Sequence, residues 1–284
     1  MKVGIVGDAE RVLAWEQHLR PHQLVRQVDL VRFVKDVGHV DACFILDDSP
    51  NNLDILLSGI RLGLHCFLVS KPPVEQDKLR AIARAADEAG VYAQLSHWPT
   101  LAPSTQWMMN QLPKPSLITI HKEIAHNQLV QPALEFEHLW LDELGICLKW
   151  IRSEVHHVEA RQTLLDDLLP IGFSITLRFD NGALASIQLY SGAAQSHHKR
   201  IAQSSSIVLE CDVIKQTVRK GTLQNNAHLF FDKEKFNPAK AAEKAALAFL
   251  KSVQMKREPS YSAYDALQLA TVSERIKKRL VTFR

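Results

Sequence analysis

Short apolar runs alternate with amphipathic segments over roughly the first third of this 284-residue chain. The runs cover residues 3–6, 24–28, 42–46, 66–69 and 91–95. Between them, apolar residues recur at helical spacing, most clearly over 74–89. Continuous apolar runs are typical of strands buried on both faces, and strands separated by helices form right-handed crossovers. The pattern therefore predicts an α/β domain with a doubly wound parallel sheet.

The pattern changes after Pro99, where prolines bracket one short helix. Strands are then predicted at 117–122, 155–163, 174–179, 183–190, 206–213 and 215–223, and helices at 136–152, 239–253 and 263–280. Asp180-Asn181-Gly182 is a hairpin signal because Asn-Gly accepts the positive φ of a tight turn. Successive strands predict a C-terminal α+β domain with a mostly antiparallel open sheet. We expect a first domain over 1–115 and a second over 116–284.

Composition argues against several classes of partner. The formal net charge is +3 and the basic residues are spread along the chain, so we expect neither nucleic acid nor an anionic membrane as a partner. No apolar run approaches the roughly 20 residues that span a bilayer, and the N-terminal run is too short for a signal peptide. The four cysteines form no CxxC pair, and no metal site is predicted. We expect a cytoplasmic protein.

The first strand is followed by Gly7-Asp8-Ala9-Glu10-Arg11-Val12, at the edge where parallel sheets bind ligands. In a complete G-x-G-x-x-G loop, the second glycine admits the pyrophosphate of a dinucleotide and the third lets helix and strand pack closely. Here only the first glycine is present, and Asp8 and Glu10 add negative charge where a phosphate would approach. The loop predicts a cofactor cleft at Gly7, Asp8 and Ala9, with weak or lost affinity for NAD(H) or NADP(H).

Asp29 lies 22 residues after Gly7, and we expect it to end the second strand. An acidic residue there accepts a hydrogen bond from the 2′-hydroxyl of the adenosine ribose and repels a 2′-phosphate. Asp29 therefore predicts cofactor binding with a preference for NAD(H). The alternative is a solvated turn residue.

Four further segments carry a family resemblance in their order and spacing. They are residues 41–46, Asp48-Ser49-Pro50, Gly63-Leu64-His65 with Ser70-Lys71-Pro72, and His97 with Pro103. They resemble, respectively, the "DaViI" strand, the "TPN" loop, the "GkH…EKP" signature and the "GH..R..P" segment of the glucose–fructose oxidoreductase/inositol dehydrogenase/MocA-like family. Three residues depart from that pattern: Asp54, Ser70 and Thr100 replace its His, Glu and Arg.

The resemblance implies a Rossmann-type N-terminal domain and an NAD(P)-dependent oxidoreductase acting on a polyol or sugar-like hydroxyl. It implies that Ser49, Pro50, Lys71 and His97 bind the cofactor, and that Lys71 also lies near the substrate and takes part in catalysis. Relatives with this architecture often form homo-oligomers through the C-terminal sheet. We expect the same here, because Ile187, Leu189 and Tyr190 would otherwise leave apolar surface on that sheet.

The family's proton acceptor has no evident counterpart. It is the histidine of an HxxD pair on the first helix of the second domain, where i and i+3 share a face. Two alignments are possible, and they place at the pair either Glu143 and Ile146 or Cys147 and Trp150. His138 and Asp142, at i and i+4, are a possible substitute, although an exposed pair at a helix start is the commoner explanation.

Two functions remain open on the sequence. The first is an NAD(P)-dependent oxidoreductase, based on the resemblance together with Gly7, Asp29 and Lys71. The second is a catalytically inactive relative that serves as a ligand-binding or assembly protein, based on the altered glycine loop and the missing HxxD pair. A subunit that pairs with an active homologue is a third, weaker interpretation.

Overall fold

The computed structural model describes residues 1–125, 132–165, 169–224 and 228–283. The chain divides into two compact units. The first comprises Met1–Leu101 and Ala239–Ala270, and the second comprises Ala102–Pro238 and Thr271–Arg284. Within the described ranges, no helix has both the length and the apolar character needed to cross a membrane.

The first unit is the predicted doubly wound α/β domain. Its five strands are all parallel and lie in the order β2-β1-β3-β4-β5. The strands are β1 (Lys2–Gly7), β2 (Gln27–Val31), β3 (Ala42–Leu46), β4 (Cys66–Val69) and β5 (Ala93–Leu95). The helices are α1 (Ala9–Leu19), α2 (Asn52–Arg61), α3 (Gln76–Ala89), α4 (Trp98–Leu101) and, much later in the chain, α7 (Ala241–Met255).

The first unit ends at Leu101, earlier than the expected boundary at 115/116, and it includes helix α7 from the C-terminal half of the chain. Phe249 of this helix packs against the sheet, with its ring centroid 5.6 Å from those of both Phe44 and Phe67. Beyond α7, the N–H of Leu95 donates to the carbonyl of Tyr261 at 3.0 Å. Residues 239–270 thus bury an apolar face of the parallel sheet and continue its edge, so they belong to the first unit.

The turn from β1 into α1 requires glycine at position 7. Gly7 has φ +151°, and a Cβ there would lie 2.9 Å from the carbonyl oxygen of Leu46 on β3. Val12 is buried beside it, and its Cγ2 would be 3.5 Å from the same Cβ. The valine is therefore accommodated where the complete motif has its third glycine.

The second unit holds a nine-stranded sheet in the order β13-β12-β11-β10-β6-β9-β8-β7-β14. The pairs β6–β9 and β7–β14 are parallel and the other pairs are antiparallel, as predicted for most of the sheet. The strands are β6 (Leu117–Ala125), β7 (Val155–Leu165), β8 (Leu169–Phe179), β9 (Leu184–Ala193), β10 (His197–Gln203), β11 (Ile207–Asp212), β12 (Thr217–Gln224), β13 (His228–Lys235) and β14 (Leu280–Phe283). The helices are α5 (Pro103–Gln111), α6 (Pro132–Ile151) and the second half of α8 (Ala263–Arg279).

Helix α6 covers one face of this sheet, and that contact corrects the expected exposure of Ile187 and Leu189. Trp140 of α6 stacks on Phe173 with centroids 5.3 Å apart, and Phe173 is the register partner of Leu189. Ile187 and Leu189 are buried on this covered face, whereas Tyr190 points the other way and is exposed. Neighbouring strand residues alternate between faces, so the three cannot form one patch.

The other face of the central strands carries the polar Thr119, Ser186 and Gln188 as well as the exposed Tyr190. Of the three residues expected to leave apolar surface, Ile187 and Leu189 are therefore buried and Tyr190 alone is exposed. Assembly through this sheet stays a prediction.

Gly7→Ala is expected to destabilise the first unit by about 2–4 kcal/mol, because the new methyl meets backbone and the φ is strained for an L residue. Gly38→Ala is the matched control, since a Cβ there has no neighbour within 4 Å. Urea unfolding of both variants measures the difference. Equal stabilities would contradict the close approach of β1 to β3.

Candidate functional site

The carboxyl ends of β1, β2 and β3 border two adjoining cavities in the first unit. One has a volume of about 390 Å³ and is lined mainly by the Gly7 turn, Leu13 and residues 30–32. The other, of about 620 Å³, extends from Gly7 past residues 32–35 to Ser49. They share Gly7, Asp8 and Arg32, and we call them together the β1–β3 cleft. This is the edge at which open parallel sheets bind ligands.

Four of the predicted cofactor residues lie in this cleft: Gly7, Asp8, Ala9 and Ser49. Pro50 is exposed in the turn before α2 and lines neither cavity. Lys71 is exposed after β4, and its backbone N–H donates to Asp48 Oδ1 at 3.2 Å. The loops after β1, β3 and β4 thus meet at one end of the sheet, as the sequence indicates.

Asp29 does not end the second strand, as expected, and it does not line the β1–β3 cleft. Strand β2 continues to Val31, and Asp29 sits in its middle, opposite Gly4. Its carboxylate lies 3.0 Å from Lys2 Nζ and accepts a hydrogen bond from Gln27 at 2.8 Å. The Lys2 hydrogen bond lowers the pKa of Asp29. The residue that follows β2 and reaches both cavities is Arg32.

Arg32 belongs to a short cationic segment that sequence reasoning missed. The guanidinium carbon of Arg32 and Nζ of Lys35 each lie 5.5 Å from the ring centroid of Phe33, which is 51% exposed. Among the residues that the structure describes, no carboxylate forms an ion pair with either cation. The signal in the sequence is Arg-Phe-Val-Lys, and it was missed because the second strand was expected to end earlier.

His97, which the resemblance assigns to cofactor binding, lies in the core of the first unit. It is fully buried, its ring stacks on Tyr261 with centroids 4.7 Å apart, and its Nδ1 lies 2.7 Å from Thr100 Oγ1. A side chain without accessible surface cannot touch a ligand in the cleft. Thr100, which replaces the family's arginine, serves as the local partner of His97.

In the second unit, helix α6 and the covered face of the sheet enclose a cluster of charged groups. Glu143 is fully buried and accepts two hydrogen bonds from the Arg200 guanidinium, each at 2.8 Å. Thr105 Oγ1 accepts a third from Arg200 at 3.1 Å. Lys122 Nζ and His198 Nε2 lie 3.9 and 3.0 Å from Glu143 Oε1.

The Glu143–Arg200 pair leaves Glu143 unsuited to accept a proton. Burial opposes ionisation, but the charge and hydrogen bonds of Arg200, aided by His198, hold the pKa of Glu143 well below its usual range. Burial also lowers the pKa of His198. Glu143 is the residue that one alignment puts at the family's histidine, and here it is one half of a buried salt bridge.

The other candidates on α6 offer no His–Asp pair either. Ile146 and Cys147 are fully buried, and Trp150 Nε1 donates to the carbonyl of Leu112 at 2.7 Å. His138 is exposed, and no hydrogen bond or ion pair joins it to Asp142 in the described part of the chain. Asp142 itself has a pKa raised to about 6, because burial and the neighbouring Glu143 outweigh the attraction of Lys122.

No family model matches the chain, and a comparison with curated proteins found no match by sequence. Solved structures are similar over nearly the full length. UDP-N-acetylglucosamine 3-dehydrogenase GnnA from Acidithiobacillus ferrooxidans has a TM-score of 0.79 at 11% identity, covering 99% of this chain and 97% of that one. An NAD binding oxidoreductase from Klebsiella pneumoniae has a TM-score of 0.79 at 12% identity, with coverages of 98% and 96%. A dehydrogenase from Chromobacterium violaceum has a TM-score of 0.76 at 16% identity, covering 98% of this chain and 94% of that one.

The chain has the fold of these dehydrogenases. The similarity confirms the resemblance drawn from the sequence motifs at the level of the fold.

Asp142→Asn is expected to stabilise the second unit at pH 8 and to have little effect at pH 3. The folded pKa of about 6 lies above the unfolded value of 3.8, so stability is lost as pH rises from 4 to 6. A neutral amide avoids that loss, which amounts to at most about 3 kcal/mol. Thermal unfolding across this pH range measures it. A stabilisation independent of pH would show that Asp142 ionises normally.

Proposed function

We propose that the chain is an NADP(H)-dependent oxidoreductase that binds its dinucleotide in the β1–β3 cleft. The observation that carries the proposal is the position of Arg32 and Lys35 at the carboxyl end of β2, where neither cation forms an ion pair with a carboxylate of the described residues. In dinucleotide-binding sheets, this is where the adenosine ribose is recognised, and an arginine there accommodates a 2′-phosphate.

The residues of the cleft fit an adenosine phosphate. Leu13 and Leu30, exposed by 54% and 41%, give the smaller cavity an apolar wall suited to the adenine ring. Arg32 presents a planar array of donors that matches phosphate oxygens. Asp29, which would have favoured NAD(H), is paired with Lys2 elsewhere. The preference expected from the sequence is therefore reversed in this proposal.

Arg32→Gln tests the cofactor preference. The variant is expected to lose about tenfold or more of its affinity for NADPH, because a charge-assisted phosphate contact is removed, and to keep its affinity for NADH. Calorimetric titration measures both affinities, and Arg61→Gln, an exposed arginine outside the cleft, is the control. Equal losses for NADPH and NADH would contradict a 2′-phosphate contact.

The proposed reaction is the oxidation of a hydroxyl on a polyol or sugar-like substrate. The nicotinamide cofactor would accept the hydride, and water would accept the proton released from the hydroxyl. GnnA, whose fold is shared, is a UDP-N-acetylglucosamine 3-dehydrogenase, which makes nucleotide sugars the first substrates to assay. Lys71, exposed at the end of β4, is the proposed catalytic residue: its ammonium can donate hydrogen bonds to a substrate oxygen and orient it.

Lys71→Ala is expected to abolish turnover while changing stability by less than about 0.5 kcal/mol, as for an exposed site away from the core. Lys251→Ala, at an exposed position of α7, is the matched control. NADPH formation is followed by absorbance with UDP-N-acetylglucosamine and with myo-inositol. Unchanged turnover in Lys71→Ala would show that Lys71 takes no part in catalysis.

A catalytically inactive relative is the alternative, and the Glu143–Arg200 salt bridge favours it. A protein of this kind would bind NADP(H) and a sugar-like ligand without transferring a hydride. Tight NADPH binding, together with no turnover of either substrate class, would support this alternative over the enzyme.

A further inference from the structure

Arg11 places a positive charge on the first turn of α1, where acidic residues are more usual. Cations are unfavourable near a helix N-terminus, where backbone N–H groups already present positive charge. The guanidinium is balanced instead by a carboxylate from another loop, since Arg11 Nη1 lies 3.1 Å from Asp48 Oδ2. Both residues line the larger cavity of the β1–β3 cleft, and their side chains are 37% and 50% exposed.

Asp48 is held in place from a second side. Its Oδ1 accepts a hydrogen bond from the backbone N–H of Lys71 at 3.2 Å, while its Oδ2 faces Arg11. The carboxylate is therefore positioned by the β4 loop and pairs with a flexible arginine. An exposed pair of this kind contributes at most about 1 kcal/mol, so a stronger anion can replace the carboxylate.

The same loop lacks the usual means of binding a pyrophosphate. The second glycine of the motif is Ala9, and Asp8 and Glu10 add negative charge beside it. A dinucleotide that enters the cleft needs a cation to offset these carboxylates. Arg11 is the basic residue of this loop, and it lines the larger cavity together with Gly7 and Asp48.

We propose that Arg11 binds the dinucleotide pyrophosphate in place of the missing glycine contacts, and that Asp48 is its counter-ion in the free protein. This assignment rests on the proposed function. Binding exchanges one ion pair for another: Arg11 leaves the carboxylate and pairs with the phosphate oxygens, and no covalent bond changes. Asp48 thus competes with the cofactor and lowers its affinity.

Substitutions of Arg11 and of Asp48 are expected to change the affinity for the cofactor in opposite directions. Arg11→Gln is expected to weaken the binding of NADPH and of NADH by the same factor, about tenfold or more, because both dinucleotides contain the pyrophosphate. Adenosine 2′-monophosphate lacks a pyrophosphate, so its affinity is expected not to change. Asp48→Asn keeps an oxygen for the Lys71 N–H but loses the charge, and it is expected to strengthen NADPH binding several-fold.

Calorimetric titration of the two single variants and the double variant tests the assignment. The gain from Asp48→Asn should largely disappear in the Arg11→Gln background, because the carboxylate acts through the arginine. Arg20→Gln, which breaks the Arg20–Glu16 pair at the other end of α1, is the control and should bind as the parent does. Melting temperatures establish that each variant is folded.

Two results would overturn the assignment, and they are distinguishable. If the parent binds NADPH and Arg11→Gln binds it equally well, Arg11 does not contact the pyrophosphate, and the proposed function stands. If neither the parent nor Asp48→Asn binds NADPH or NADH, the dinucleotide proposal itself fails and this assignment fails with it.

Discussion

The first unit depends on aromatic packing between its parallel sheet and a helix from a distant part of the sequence. Phe249 contacts Phe44 and Phe67, and Trp15 of α1 adds ring contacts at 5.8 and 6.1 Å on the same two phenylalanines. A parallel sheet must be covered on both faces, and α7 shares the covering of this face with α1. The β1–β3 cleft therefore belongs to a unit that is complete only when residues 1–101 and 239–270 have folded together.

Local patterns predicted most of the strands because the buried runs are apolar and continuous, as at 42–46 and 66–69. The position of α7 could not be predicted this way, since an amphipathic helix does not specify which sheet it covers. The end of β2 was misplaced because the apolar and polar residues over 24–31 fit more than one position of the strand. Asp29 was assigned to the cofactor because it was expected to be the last residue of that strand. Strand β10 was missed because its sequence is polar, and Arg200 is buried there only through its pairing with Glu143.

The cleft and helix α6 differ in how their charged groups are arranged. At the cleft, only the first glycine of the motif is present, and Arg11, Arg32 and Lys35 line the larger cavity together with Asp8, Asp47 and Asp48. In the proposed function, these three cations hold the phosphates of the dinucleotide. On α6, a carboxylate at a predicted catalytic position is neutralised by Arg200, which costs the site a proton acceptor but satisfies a buried charge. Cofactor binding and catalysis must therefore be tested separately in this protein.

The central claim is that a 2′-phosphorylated dinucleotide occupies the β1–β3 cleft, and a crystal structure of the chain grown with saturating NADP⁺ tests it most directly. We expect density for the adenosine 2′-phosphate within hydrogen-bond distance of the Arg32 guanidinium and near Lys35. An empty cleft at saturating NADP⁺, or an adenosine ribose bound away from the end of β2, would contradict it.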